Sequence, residues 1–229
     1  MNVPTFFTFL NLFSGFMAII SISEGRADSA FWFVVFSAVF DFLDGKMARI
    51  LKTQSKLGPQ IDSLADAVSF GVAPAFFVYN IVFFQVGRFS PFYIFPFVYL
   101  SAVITRLARF NVIGEDSQKE FYYGLSSPMS AMFMVSFALT FGKHLPYFVF
   151  MKEAVGAVVI LLSFLMLSKI EFPVFKSKEK SEKIQILFFV LALVALVIFK
   201  SLFLMVSIGL YIILGVLFFV FRKESDEKA

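Results

Sequence analysis

Apolar segments of about twenty residues follow one another along almost the whole chain, parted by short polar breaks, and no soluble interior accommodates such a series. On the length that a bilayer demands there are about eight, near 5–22, 30–51, 58–84, 91–113, 127–142, 148–168, 184–199 and 202–221. The 229 residues are 59% hydrophobic and 16% charged, with 36 phenylalanines, far more apolar surface than one domain of this size buries. The expected fold class is therefore all-α: a polytopic integral membrane helical bundle, one membrane domain over residues 1–229. Lys200 and Ser201 are the one ambiguous break, since without a reversal there the last two segments fuse and the count drops to seven.

Charge placement orients the bundle. With eight spans, Lys46, Arg49, Lys52, Lys56, Arg106, Arg109, Lys119, Lys169, Lys176, Lys178, Lys180, Lys183, Arg222, Lys223 and Lys228 fall on one side, against Arg26, Arg88, Lys143, Lys152 and Lys200 on the other. The positive-inside rule then puts both termini at the cytoplasmic face of the cell membrane. The first apolar run lacks a basic leader and passes straight into further spans, so it reads as a retained segment. The run KSKEKSEK at 176–183 reads as a solvated linker and lipid head-group contact. Trp32 fits an interfacial aromatic on the outer side, and His144, the only histidine, falls in an outer loop. The absence of cysteine excludes disulfides, thiolate metal sites and a cysteine nucleophile. No nucleic-acid motif is present.

One stretch breaks the apolar pattern. Between Asp41 and Asp66 the chain carries Asp41, Asp44, Gly45, Ala48 and Arg49 on one helical stripe, then Gly58, Asp62 and Asp66 on the stripe of the next segment. Charge in or beside a membrane is costly and marks function. Four carboxylates on a returning hairpin repel one another unless protonated or bridged by cations. A donor set of oxygens without His or Cys selects a hard divalent ion, Mg, Mn or Ca. Two such ions held by carboxylates suit phosphodiester or pyrophosphate chemistry. Gly45 and Ala48 leave a flat face for a ligand, Gly58 does the same on the returning helix, and Arg49 can clamp phosphate oxygens in a bidentate manner. Taken singly, each glycine is better explained by helix packing, and it is the face shared with the carboxylates that favours binding.

The spacing Asp41-x2-Asp44-Gly45-x2-Ala48-Arg49-x8-Gly58-x3-Asp62-x3-Asp66 resembles the full signature of the CDP-alcohol phosphotransferase family. That resemblance implies a polytopic, usually homodimeric membrane enzyme with a cytoplasm-facing pocket, in which an alcohol displaces CMP from a CDP-linked donor. It also implies that Asp41, Asp44, Asp62 and Asp66 bind two divalent cations and that Gly45, Ala48, Arg49 and Gly58 line the CDP-lipid site. The continuation Asp62-Ser63-Leu64-Ala65-Asp66, with Ser69-Phe70-Gly71 and Ala73-Pro74 after it, is similar to the branch of the family that uses CDP-diacylglycerol and L-serine. So are Arg106, Arg109, Phe110 and Asn111, and the run Tyr123-Gly124-Leu125-Ser126-Ser127-Pro128, which departs from the branch pattern at Ser126, where a proline is expected. The resemblance covers about residues 1 to 135; the spans over 148–221 match in hydrophobicity alone.

On that resemblance the donor is CDP-diacylglycerol or an ether-linked CDP-lipid, and Asp66 is the candidate general base as well as a ligand. The carboxylate of serine calls for a cation that the donor phosphates do not consume, and Arg106 and Arg109, with Asn111 beside them, are the candidates. Their bland reading is as positive-inside anchors. Asn2, Thr5, Thr8 and Asn11 share roughly one face of the first span and point either to the head-group cavity or to another helix. Inositol phosphate or glycerol phosphate as acceptor stays open on the residues, and a cation-coupled transporter is the competing class.

Overall fold

α1 (Val3–Ser23) starts with Pro4 in its first turn, where a missing N–H does no harm, and contains no charged residue. Its buried face consists of Thr8, Asn11, Ser14, Gly15, Ala18, Ser21 and Ile22, whereas Phe6, Phe9, Phe13 and Phe16 are exposed. A soluble helix has the opposite polarity. Small and polar residues let membrane helices approach and bond to one another, and the aromatic face is left to lipid. A Schellman turn closes the helix: Arg26 N–H donates to Ser21 O at 2.8 Å and Gly25 N–H to Ile22 O at 3.0 Å, with Gly25 at φ +75°. The chain returns as α2 (Ala27–Leu51), packed along α1, with Trp32 edge-on to the buried Phe31 ring.

This computed structural model describes residues 3–51, 57–84, 91–113, 121–142, 150–173 and 182–226. Asn2, His144 and all but the last two residues of the 176–183 run lie outside them, as do Arg88, Lys119 and Lys143.

The third helix, Gly58–Phe83, lies against α1 and against two helices further along the chain, Ile94–Ile113 and Ser127–Gly142, and changes its winding twice. α3 (Gly58–Asp66) passes into a π-helical segment, Ala67–Val72; α4 (Ala73–Val78) follows, then a second π-helical segment, Tyr79–Phe83. Pro74 accounts for part of this. It has no N–H, so the carbonyl of Phe70, four residues earlier, has no α-helical donor. The hydroxyl of the fully buried Tyr99 donates to that carbonyl instead, at 3.0 Å, while Ala73 N–H reaches back five residues to Val68 O.

After a 3-10 turn at Pro91–Tyr93, Tyr99 belongs to α5 (Ile94–Ile113), which packs along α7 (Met151–Leu167). α6 (Ser127–Gly142) packs along α8 (Glu182–Asp226). A two-stranded antiparallel ribbon joins β1 (Phe121–Tyr123) to β2 (Glu171–Pro173), with Tyr122 opposite Phe172. Gly124 follows β1 at φ +75°, where a Cβ would stand 2.5 Å from the Met166 carbonyl oxygen, so only glycine fits. The core that these elements share is aromatic, with Phe31, Phe70, Phe77, Phe83, Tyr99 and Phe172 fully buried.

Helix ends agree closely with the expected segments, and the expected 127–142 coincides with α6. Among the described residues, four stretches are long and apolar enough to cross a membrane: Val3–Ser23, Gly58–Phe83, Pro91–Val112 and Ala195–Arg222. That is fewer than the eight expected: only the end of 184–199 falls within the last of the four, and three other segments miss the standard for two physical reasons. α2 is long enough but carries Asp28, Asp41, Asp44, Lys46 and Arg49; α6 and α7 have 16 and 17 residues, about 24–26 Å of helix against a hydrocarbon core of roughly 30 Å. The break expected at Lys200 is present inside α8, where the backbone turns to φ 45°, ψ −122°.

Replacing Tyr99 by Phe strands the Phe70 carbonyl in an apolar interior, an expected loss of about 1–3 kcal/mol. Unfolding of the purified variant in detergent measures it, and wild-type stability would show that the carbonyl has another donor.

Candidate active site

Two helices carry the acidic pairs toward each other. Asp41 and Asp44 stand one turn apart on α2, and Asp62 and Asp66 one turn apart on α3. One carboxylate oxygen from each of Asp41, Asp62 and Asp66 lies within 4.8 Å of the other two. Asp44 stands beside this triad, close enough to Asp62 and Asp41 to be repelled by both, with Thr8 of α1 facing it. It is buried, and its Oδ2 has no hydrogen-bond partner. At such separations two like charges repel by roughly 3 kcal/mol each pair, even at an effective dielectric constant of about 20. Clustered oxygens of this kind, with an unsatisfied carboxylate oxygen among them and no nitrogen or sulfur donor, fit hard divalent cations.

Among the described residues, one cation reaches the cluster. Arg106, on α5, is within electrostatic range of Asp66 and Asp41. Its Nη1 donates to Ser127 Oγ at 3.0 Å, at the start of α6, while its buried Nε has no partner. The other two expected acceptor residues are committed elsewhere. Arg109 Nη1 donates to Leu167 O at 3.1 Å, capping the last turn of α7. The Asn111 side-chain amide pairs with the Ser63 hydroxyl at 2.9 and 3.1 Å.

Around the carboxylates the small residues differ in what they do. Gly45 is exposed, and a Cβ added to it would meet nothing within 4 Å. It is therefore not a packing glycine, and the α2 face next to Asp44 lies open. Ala48 is half-buried on the same stripe. Gly58 opens α3, followed by Pro59 in the first turn. The Arg49 side chain lies outside the described residues.

Of the polar residues of the first span, Asn11 reaches the site directly, donating from Nδ2 to Asp66 Oδ1 at 2.9 Å. Its polarity inside an apolar run was a visible signal. Ser69 and Ser127 stood in runs that resemble the family but carried no sign of a role of their own: serine is common in membrane helices, and nothing in their spacing separates them from Ser130 or Ser136, buried nearby.

Sequence comparison agrees with this geometry. The model of the family described as CDP-alcohol phosphatidyltransferase matches residues 1–158, which include all four aspartates and Arg106. A Helicobacter pylori CDP-diacylglycerol–serine O-phosphatidyltransferase is 36% identical over 219 residues, 95% of this chain and 91% of its own. A Bacillus subtilis protein of the same name is 32% identical over 190 residues, 80% of this chain and 96% of its own. One from Methanocaldococcus jannaschii is 29% identical over 177 residues, 77% and 76%.

Asp41→Asn removes one repelling charge. Its melting temperature in chelator is expected to rise, by about 2–4 °C for each kcal/mol of repulsion relieved, while the extra stabilisation that wild type gains from Mn2+ shrinks. Thermal unfolding with and without the ion measures both; a fall in chelator would show that the aspartate supports the fold instead.

Proposed function

Because the chain belongs to the CDP-alcohol phosphatidyltransferase family, we infer that it transfers a phosphatidyl group from CDP-diacylglycerol to the hydroxyl of L-serine, giving phosphatidylserine and CMP. The observation that carries this reading is the convergence of the signature aspartates of α2 and α3 beside Arg106. The named relatives all act with serine, and neither a phosphorylated acceptor nor ion transport is favoured by any of them.

Asp41, Asp44, Asp62 and Asp66 would hold two divalent cations, Mg or Mn, with Ca possible. When bound, these supply positive charge to the diphosphate and to the leaving CMP. The open face at Gly45 and Ala48, with Gly58 opposite and Arg49 on the same stripe, receives the CDP-lipid. Asp66 accepts the proton of the serine hydroxyl as it attacks the phosphorus that carries the lipid, and CMP departs. Arg106 receives the serine carboxylate. Its Nε has no partner and its Nη1 is held by Ser127, so the guanidinium is aimed while one donor stays available. Arg109 and Asn111, bonded to Leu167 and Ser63, play supporting parts at the rim. An ether-linked CDP-lipid presents the same head group to these residues.

The rest of the expected topology is part of the same proposal: one membrane domain of about eight spans, a site and both termini facing the cytoplasm, and a homodimer in the bilayer. The position of α8 supports the even count. Thr140 Oγ1 donates to Ser201 Oγ at 3.0 Å, Gly209 lies against the Phe133 ring, and Arg222 pairs with Glu171 at 2.9 Å. The second half of α8 thus runs antiparallel to α6, back toward β2. Were α8 straight, Glu182 would stand about 60 Å from β2, at 1.5 Å per residue. The chain between Pro173 and Glu182 extends over only about 30 Å, so a reversal at Lys200 is what its length allows.

With purified protein, CDP-diacylglycerol and Mn2+, CMP release is expected to depend on L-serine and not on inositol phosphate or glycerol phosphate. Asp66→Asn should bind CDP-lipid normally with turnover lowered by about 100-fold or more. Arg106→Lys should raise the KM for serine by about tenfold while Arg109→Lys leaves it near wild type. Serine-independent release, or equal responses of the two arginine variants, would overturn these assignments. Since the chain has no cysteine, Lys200→Cys and Ser225→Cys can each be probed alone; an impermeant thiol reagent should label the first from outside intact cells and the second only after lysis.

A further inference from the structure

Asn11 is fully buried in the middle of α1, and three elements meet at it. Its side-chain Nδ2 donates to Asp66 Oδ1 at 2.9 Å. Its main-chain carbonyl accepts from Ser69 Oγ, in the π-helical segment just after α3, at 3.0 Å, and shares the Ser37 hydroxyl of α2, 3.3 Å away, with the nearer Phe33 carbonyl at 3.1 Å. One turn further along α1, Gly15 permits the approach: a Cβ there would come within 2.7 Å of the Ser69 Cα. The amide orientation is dictated by chemistry, because the flipped side chain would set its oxygen against a carboxylate. In the orientation that satisfies Asp66, Asn11 Oδ1 is left buried without a partner. An asparagine placed only for packing has no reason to accept that cost.

We propose that Asn11 is a positioning residue, which fixes the plane of the Asp66 carboxylate through one oxygen and leaves the other for the divalent cation and the serine hydroxyl. The inference rests on the divalent-cation reading of the aspartate cluster. A carboxylate held by one oxygen cannot swing about its terminal torsion, which is otherwise broad. An amide suits the task better than a lysine or arginine, because it donates a hydrogen bond without bringing a charge that competes with the cation. Ser37 and Ser69 hold the same residue to α2 and to the third helix, the two carriers of the acidic pairs. α1 therefore sets the distance between those pairs as well as the orientation of Asp66. Partners of metal ligands commonly contribute about 10–100-fold to metal affinity or activity.

The test titrates Mn2+ into detergent-purified full-length protein, reading free Mn2+ by electron paramagnetic resonance and unfolding by thermal shift. The variant is Asn11→Leu, close in shape and without the donor. It is expected to weaken Mn2+ binding by about 10–100-fold with the melting temperature in chelator unchanged or raised, since the orphaned oxygen goes too. Residual CMP release should require proportionally more Mn2+, with the KM for serine at saturating ion near wild type. Unchanged Mn2+ affinity overturns the proposal, whether or not the melting temperature in chelator falls. If the leucine variant does not fold, Asn11→Ser carries the same comparison. Failure of wild type to bind Mn2+ would instead remove the cation-site reading itself, and so is distinguishable from failure of the role given to Asn11.

Discussion

Mutual repulsion among carboxylates in an apolar bundle is the constraint around which the surrounding helices are arranged. Asp41, Asp62 and Asp66 stand too close to be stable as isolated charges in such surroundings, and Asp44 adds to the load. Three neighbouring helices answer it. α1 brings Thr8 and the Asn11 amide, α5 brings Arg106, and α6 holds Arg106 through Ser127. None of these groups neutralises the cluster fully. The balance of charge suits a ligand-binding centre, because complete internal pairing would leave nothing for a cation to do.

Assembly of those groups depends on polarity turned inside out. The inward face of α1 is made of serine, threonine, asparagine, alanine and glycine, and its outward face of phenylalanine. In lipid the outward face gains nothing by association, so packing is decided by closeness of approach and by hydrogen bonds between helices. The crossing at Gly15 and Ser69 shows both at once: backbones nearly touch, and the serine hydroxyl bonds to the Asn11 carbonyl. The same crossing delivers the asparagine side chain to Asp66.

Much of this was legible in the sequence, for identifiable reasons. Apolar run length marked the helices, and the break at Lys200 showed because a lone charge interrupts an otherwise unbroken run. The aspartates were legible because nothing but function keeps four of them within twenty-six residues of a membrane hairpin. The acceptor residues were legible only as a group. Arg106 and Arg109 lie three residues apart on one helix and look alike in the sequence, yet one faces Asp66 while the other caps α7. Which way each points is set by the position of α7, which the sequence does not encode locally. What the serines that hold Asn11 and Arg106 do was hidden for a similar reason, since their partners lie 58 and 21 residues away.

The π-helical winding just past Asp66 has a bearing on how this helix can vary. Each such segment inserts a residue relative to an α-helix and advances the phase of all that follows by about 100°. The reactive end, Gly58–Asp66, and the packing end, Ala73–Phe83, are therefore phased independently, with Ala67–Val72 acting as a rotary coupling between them. Substitutions that retune how the far end nests against α6 need not turn the aspartates, and loss of one residue within the coupling is absorbed by rewinding it as α-helix, with Asp66 kept beside Asp41.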